Sequence, residues 1–165
     1  MYNYTFFHGS ALVRLAQDTR TYGIKRYSGN NGYLVNDVAY IYLKHSSKRL
    51  TPWSFTFLPE HIKATVEVRK RIKNIYIVLI CGTDGICCLD FNELSQVILI
   101  GDSSGIKQIR ISRSRGEKYG VSGSDGKLNH KIGNSDFPRK IFKEILPPSL
   151  HHPSTERTRG RGSGG

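Results

Sequence analysis

Seven consecutive residues, Ile75-Tyr76-Ile77-Val78-Leu79-Ile80-Cys81, place the strongest constraint on how this chain can fold. A strand with one wet face alternates apolar and polar residues, whereas an unbroken β-branched run marks a strand covered on both faces. Such a strand needs a layer above and a layer below, which predicts a mixed sheet with helices packed against it. Gly82-Thr83-Asp84-Gly85 then predicts a turn into a second strand, Ile86-Cys87-Cys88-Leu89. Asp90 is placed to cap a helix from Phe91 through Val97.

The elements before this run follow from the same signals. Ser10 can cap a short helix over Ala11–Ala16, with Leu12, Leu15 and Ala16 on one face. Tyr22–Tyr27 reads as a strand, Gly29-Asn30-Asn31-Gly32 as a turn. Tyr33-Leu34-Val35 and Val38–Leu43 read as a hairpin around Asn36-Asp37, a pair that tolerates the backbone of a tight turn. A basic loop follows, His45-Ser46-Ser47-Lys48-Arg49. Pro52-Trp53-Ser54-Phe55-Thr56-Phe57 alternates as a half-buried strand does, and Pro59 opens a helix with Ile62 and Val66 expected on the core side.

Beyond Gly101 the texture becomes basic. Residues 1–103 hold 12 Lys and Arg against 8 Asp and Glu, and residues 104–165 hold 13 against 5, so most of the net +12 lies in the last third. Ile106–Ser112 and Lys118–Val121, then Gly123-Ser124-Asp125-Gly126, predict a basic β-meander. Asp136-Phe137-Pro138 opens a closing helix through Ile145. The expected class is α/β in the α+β sense: a core over 1–103, a basic β-rich extension of the same domain over 104–146, and a disordered Arg/Gly tail over 147–165. A charge of this size points to a polyanionic partner, nucleic acid ahead of an acidic protein surface, because each neutralised phosphate releases counterions.

Three cysteines, two of them adjacent, do not make a disulfide framework, and this favours a reducing, intracellular (cytoplasmic) setting. They also lack partners at zinc spacing, so no metal site is expected from them. The N-terminus lacks a charged start and a long apolar core, and the longest apolar run is too short for a bilayer. Neither a secretory signal nor a membrane partner is therefore expected.

Helix, strand, the hairpin ending Ile41-Tyr42-Leu43-Lys44-His45-Ser46, a helix near 60–71 and the Ile75–Leu89 strand pair follow in order. Over residues 9–98 this resembles the restriction-endonuclease-like, or PD-(D/E)XK, superfamily, especially small Holliday-junction resolvases. The resemblance implies a metal-dependent nuclease scaffold whose lysine, Lys44, assists attack on a phosphodiester. It also implies acids that are missing here: Tyr42 stands where the Glu-x-Lys carboxylate belongs, and the first helix carries no glutamate. The expectation is a nucleic-acid-binding protein with a degenerate site and no cofactor, with DNA ahead of RNA. By analogy of fold alone it would serve a mobile element, defence or counter-defence.

The phosphate-gripping candidates are Lys44, Lys48, Arg49, Arg110, Arg113, Arg115 and Lys118. The competing reading is a Mg²⁺-dependent endonuclease in which Asp37, or an acid such as Glu60, holds the metal while Lys44 activates water. A third is a protein-interaction or inhibitor module, and homodimerisation is an option the resemblance leaves open. Trp53 reads as core before base-stacking platform, and Arg69-Lys70-Arg71 as a solvated helix end before a backbone contact.

Overall fold

A computed structural model describes residues 2–27, 31–102 and 104–143. The expected tail over 147–165 and the last residues of the closing helix lie outside them, as do Gly29 and Asn30 of the expected turn. The elements are α1 (Tyr2–Gln17), β1 (Ile24–Arg26), β2 (Gly32–Val35), β3 (Ala39–Ser46), β4 (Trp53–Phe57) and α2 (Pro59–Arg69). After them come β5 (Asn74–Cys81), β6 (Gly85–Asp90), α3 (Phe91–Val97), β7 (Lys107–Ser112), β8 (Gly120–Gly123), β9 (Gly126–Lys127) and α4 (Asp136–Lys143).

The apolar run becomes β5, buried from Ile75 to Cys81, inside a five-stranded sheet of order β1-β2-β3-β5-β6. β5 lies parallel to β3 and antiparallel to β6, which makes the sheet mixed. On one face Ile41, Leu43, Tyr76, Val78, Ile80 and Cys88 meet Phe7, Ala11 and Leu15 of α1 and Phe137, Ile141 and Phe142 of α4. The opposite face carries Tyr40, Tyr42, Ile75, Ile77, Leu79, Cys87 and Leu89. It is covered by Ile62 and Val68 of α2, Leu94 and Val97 of α3, and a second sheet through Trp53, Phe55, Ile109, Ile111 and Val121. That second sheet has the order β4-β7-β8-β9. The basic meander is thus built onto β4, which leaves the first sheet to pair antiparallel with β7.

Local chemistry explains most element boundaries. Asn36 and Asp37 both have positive φ, 54° and 59°, which is the type I′ turn that matches the twist of a hairpin. Asn36 is also a buried organiser: its amide oxygen accepts from the Tyr22 and Gly23 N–H groups, and its amide nitrogen donates to the Arg20 carbonyl. Asp90 caps α3 by accepting from the Glu93 N–H, and the Glu93 carboxylate accepts from the Asp90 N–H in return. Gly82 has φ +54°, and any Cβ there would lie 2.3 Å from the Lys48 carbonyl oxygen. Only glycine lets the β5–β6 turn pass this close to the loop after β3.

Three expectations need correction. α1 begins at Tyr2, so Ser10 lies within the helix and its hydroxyl donates to the Phe7 carbonyl instead of capping. In α2 the core face is Ile62, Thr65 and Val68, with Val66 half-buried, because the helix is only eleven residues long and turns a three-residue stripe inward. The first strand is only Ile24–Arg26, since Tyr22 and Gly23 are held by Asn36.

Charged groups also lock the layers together. Glu93, 6% exposed, accepts from Lys140 (2.8 Å) and from His130 (2.7 Å), and Lys140 donates to the Cys88 carbonyl as well. Burial pushes the Glu93 carboxyl up, but its hydrogen bonds from Lys140, the Asp90 N–H and His130 outweigh this and hold it below the ordinary 4.5. A depressed carboxyl value stabilises the folded state above the ordinary value, and that stabilisation is lost as pH falls through the folded one. Glu93→Ala, which strands Lys140, is expected to cost about 3 kcal/mol in urea unfolding at pH 7. The deficit should shrink on acidification below 4.5; a deficit independent of pH would sink this account.

Candidate nucleic-acid interface

The second sheet turns its apolar residues inward and leaves the other face to solvent. Along β4, Trp53, Phe55 and Phe57 are buried while Ser54 and Thr56 are exposed; along β7, Gln108, Arg110 and Ser112 are exposed. The register pairs Ser54 with Arg110, Arg110 with Ser122, and Ser122 with Lys127. Directly opposed residues project to the same side of a sheet. One row, Ser54-Arg110-Ser122-Lys127, therefore crosses all four strands, with Thr56 and Gln108 forming a second row beside it. No strand of this sheet contains an aspartate or a glutamate.

At the β8–β9 side this face runs into an open groove of about 680 Å³ that includes Ser112, Ser122, Lys127, Asn129, His130 and Lys131. At the β4 side it runs into a smaller pocket of about 340 Å³. Tyr4 and His8 come from α1, Asn31 from the chain before β2, Lys44 and His45 from β3, and Ser54, Phe55 and Thr56 from β4. Tyr4 donates to Asn31, and the His8 Nε2 and His45 Nδ1 atoms are 3.0 Å apart. The Lys44 ammonium donates to the Thr56 carbonyl (2.6 Å) and contacts His61 Nδ1 at 3.2 Å, with the Phe57 ring 4.7 Å away. The Leu58 N–H also donates to His61 Nδ1, so that nitrogen is an acceptor and the ring proton sits on Nε2.

Every basic group around this pocket is pushed toward its neutral form. Burial lowers Lys44 to about 8, and burial followed by repulsion from His45 and Lys44 lowers His8 to about 4. Burial and then Lys44 lower both His45 and His61; Glu60, exposed beside His61, works the other way on that ring.

The sequence candidates separate into distinct groups. Lys48 and Arg49 are exposed on a loop tied down by the Trp53 indole N–H on the Lys48 carbonyl and by the Arg113 N–H on Thr51. Arg115 and Lys118 are exposed on the β7–β8 connection, which that same Arg113–Thr51 contact brings to this end of the molecule. Arg110 stands on the open sheet face. Arg113 does not join them: its guanidinium is bound to Asp84 at 2.6 Å, and Tyr119 donates to the same carboxylate at 2.7 Å. Arg110, Arg113, Arg115 and Lys118 are thus divided, because Arg113 follows the strand and turns back toward the β5–β6 turn.

Asp37 sits in the turn before β3, and Lys44 lies five residues into that strand, about 17 Å from its start at the usual strand rise. Asp37 pairs with Lys25 instead. Tyr42 is 3% exposed and packs in the core on the same face as Lys44, so the position of the missing acid is apolar. Among the described residues, no three His, Cys, Asp or Glu side chains converge as metal ligands. Trp53 is 2% exposed and belongs to the core. Of Arg69-Lys70-Arg71, Arg69 covers the Phe91 ring and Lys70 pairs with Glu67.

Residues that the sequence did not single out are Tyr4, His8, Ser54, Thr56, Ser122 and Lys127. The alternation in β4 and β7 carried a signal for the outward face, but the pairing of those two strands did not show in it.

No protein-family model matches the chain, and neither does any curated protein or solved structure.

Lys44 offers a direct check on the electrostatics. A lysine value depressed on folding means that the unfolded chain binds more protons between about 8 and the ordinary 10.5, so this group penalises the fold below that window. Lys44→Met is expected to raise the thermal midpoint at pH 7, with the gain fading as pH climbs toward 10.5. A lower midpoint at pH 7 would mean that the ammonium is compensated.

Proposed function

We propose that this protein binds nucleic acid, DNA ahead of RNA, on a nuclease-like scaffold without nuclease chemistry. The observation that carries the reading is the acid-free outward face of the β4-β7-β8-β9 sheet, with Arg110 and Lys127 in line across it. The carboxylates of Asp18, Asp37, Glu67, Asp84, Glu93, Asp102, Glu117, Asp125 and Asp136 are all paired with cations of the chain itself. Lys48, Arg49, Arg110, Arg115, Lys118 and Lys127 have no such partner among the described residues, as is also true of Arg26, Lys63, Arg71 and Lys73; the six on the outer sheet and its neighbouring loops are those this reading assigns to phosphates.

Hydroxyls and an amide between the cations suit the reading, since Ser, Thr and Gln side chains commonly hydrogen-bond phosphate oxygens. The order of helix, strand, hairpin, helix and strand pair supports the nuclease-like scaffold. Against metal-dependent cleavage stand the buried Tyr42 and the stretch of β3 between Asp37 and Lys44.

The test is fluorescence anisotropy with labelled duplex, single-stranded and four-way-junction DNA over a salt series, with parallel gels for cleavage in Mg²⁺ and in chelator. Six phosphate contacts on duplex predict a log–log salt slope of about −5, and the Arg110→Ala/Lys127→Ala pair should bring it to about −3.5. No strand scission is expected with either metal or chelator. Absence of binding to every substrate at low salt would overturn the reading and leave an acidic protein surface as the partner.

A further inference from the structure

Three lysines of this protein are sheltered from solvent, and two of them are neutralised. Lys107 lies between Asp102 and Asp125, and Lys140 lies on Glu93. Lys44 has a carbonyl, a neutral imidazole and two aromatic rings, but no carboxylate. An unpaired sheltered cation is costly to a fold and marks a place where an anion from outside would be favourable.

The pocket in front of Lys44 is made for one. None of its lining residues is acidic, and the hydrogen-bond donors it offers come from Lys44, the His8–His45 pair, the Asn31 amide, Ser54 and Thr56. His8 is 2% exposed, and its Nδ1 has no hydrogen-bond partner among the described residues. A dianion arriving here would be met by Lys44 and would favour a proton on the hydrogen-bonded imidazoles, working against the burial and the repulsion that now disfavour their charged form.

Position supplies the rest. Ser54 and Thr56 belong both to the pocket and to the outward sheet face, so the pocket opens at the edge of that face. A strand lying along Lys127, Ser122 and Arg110 would run out at β4 and meet a concavity, which suits a chain end better than a continuous backbone.

Resting on the nucleic-acid reading above, we infer that this pocket receives the terminal phosphate monoester of a nucleic-acid strand, with Lys44 and the His8–His45 pair as the phosphate-binding groups.

Oligonucleotides of one sequence carrying a 5′-phosphate, a 3′-phosphate or hydroxyl ends are titrated into the full chain and into Lys44→Met, His45→Phe and Arg110→Ala. Inorganic phosphate is titrated in parallel, with the histidine ring signals followed by NMR. A phosphate on one of the two ends is expected to tighten binding about tenfold in the unaltered protein. That gain should vanish in Lys44→Met and His45→Phe and persist in Arg110→Ala, which weakens all oligonucleotides alike. Inorganic phosphate should shift the His8 and His45 signals and compete for the phosphorylated end only.

Equal affinity for phosphate and hydroxyl ends would overturn this inference and leave the sheet-face reading standing. Histidine shifts with phosphate but no oligonucleotide binding would overturn it in favour of a free phosphate or a small phosphate ester. No response to either would remove both readings.

Discussion

The double burial of β5 is the constraint from which the rest of the structure follows. A strand with no wet face must have its polar backbone paired on both edges and its side chains covered on both sides. β3 and β6 supply the edges, α1 with α4 one cover, and the second sheet with α2 and α3 the other. Because β3 runs parallel to β5, the chain must cross over between them, and β4 and α2 form that crossover. β4 is thereby carried out of the first sheet to start the second, and the basic segment after Gly101 completes what β4 begins.

This division of labour also sorts the charges. Carboxylates are used where layers must be joined: Glu93 ties α3 and β6 to α4, Asp84 ties the β5–β6 turn to the end of β7, and Asp125 ties the β8–β9 turn to Lys107. The outer sheet needs no such tie on its solvent side, and its strands carry none. A net charge of +12 is therefore not spread evenly. On the solvent side of the outer sheet Arg110 and Lys127 keep their charge, with hydroxyls between them, and a field of one sign over a face favours long-range encounter with a polyanion.

Much of this was legible in the sequence, because strand periodicity, turn pairs and caps are local. The double-faced β5, the Asn36-Asp37 turn, the Asp90 cap and the inward set of β4 all show in short windows. What could not be read is long-range pairing. Nothing local to Arg113 distinguishes it from Arg110, yet Asp84, 29 residues away, takes one and leaves the other free. Likewise His8 and His45 are 37 residues apart, and only the packing of α1 on β3 brings their rings together. The start of α1 is not legible because Tyr2–Phe7 is rich in aromatics and lacks strong helix formers, and contact with the sheet, which buries Phe7, overrides that weak propensity.

Positions 42 and 44 carry the contrast with a Glu-x-Lys pair. Alternate residues of β3 share a face about 6.7 Å apart, so a carboxylate at 42 would both neutralise Lys44 and help hold a metal. Tyr42 does neither. It fills the core near α2, and burial pushes its hydroxyl up to about 12, so it remains neutral. Exchanging it for an acid would place a charge beside Tyr40, Ala64 and Val68 and close to the Glu67 carboxylate of α2. The core that stabilises the two sheets thus excludes the acid, and the exclusion leaves Lys44 as an uncompensated cation at the rim of a basic face. Among the described residues no carboxylate reaches it, and the proposed phosphate would supply that charge from outside.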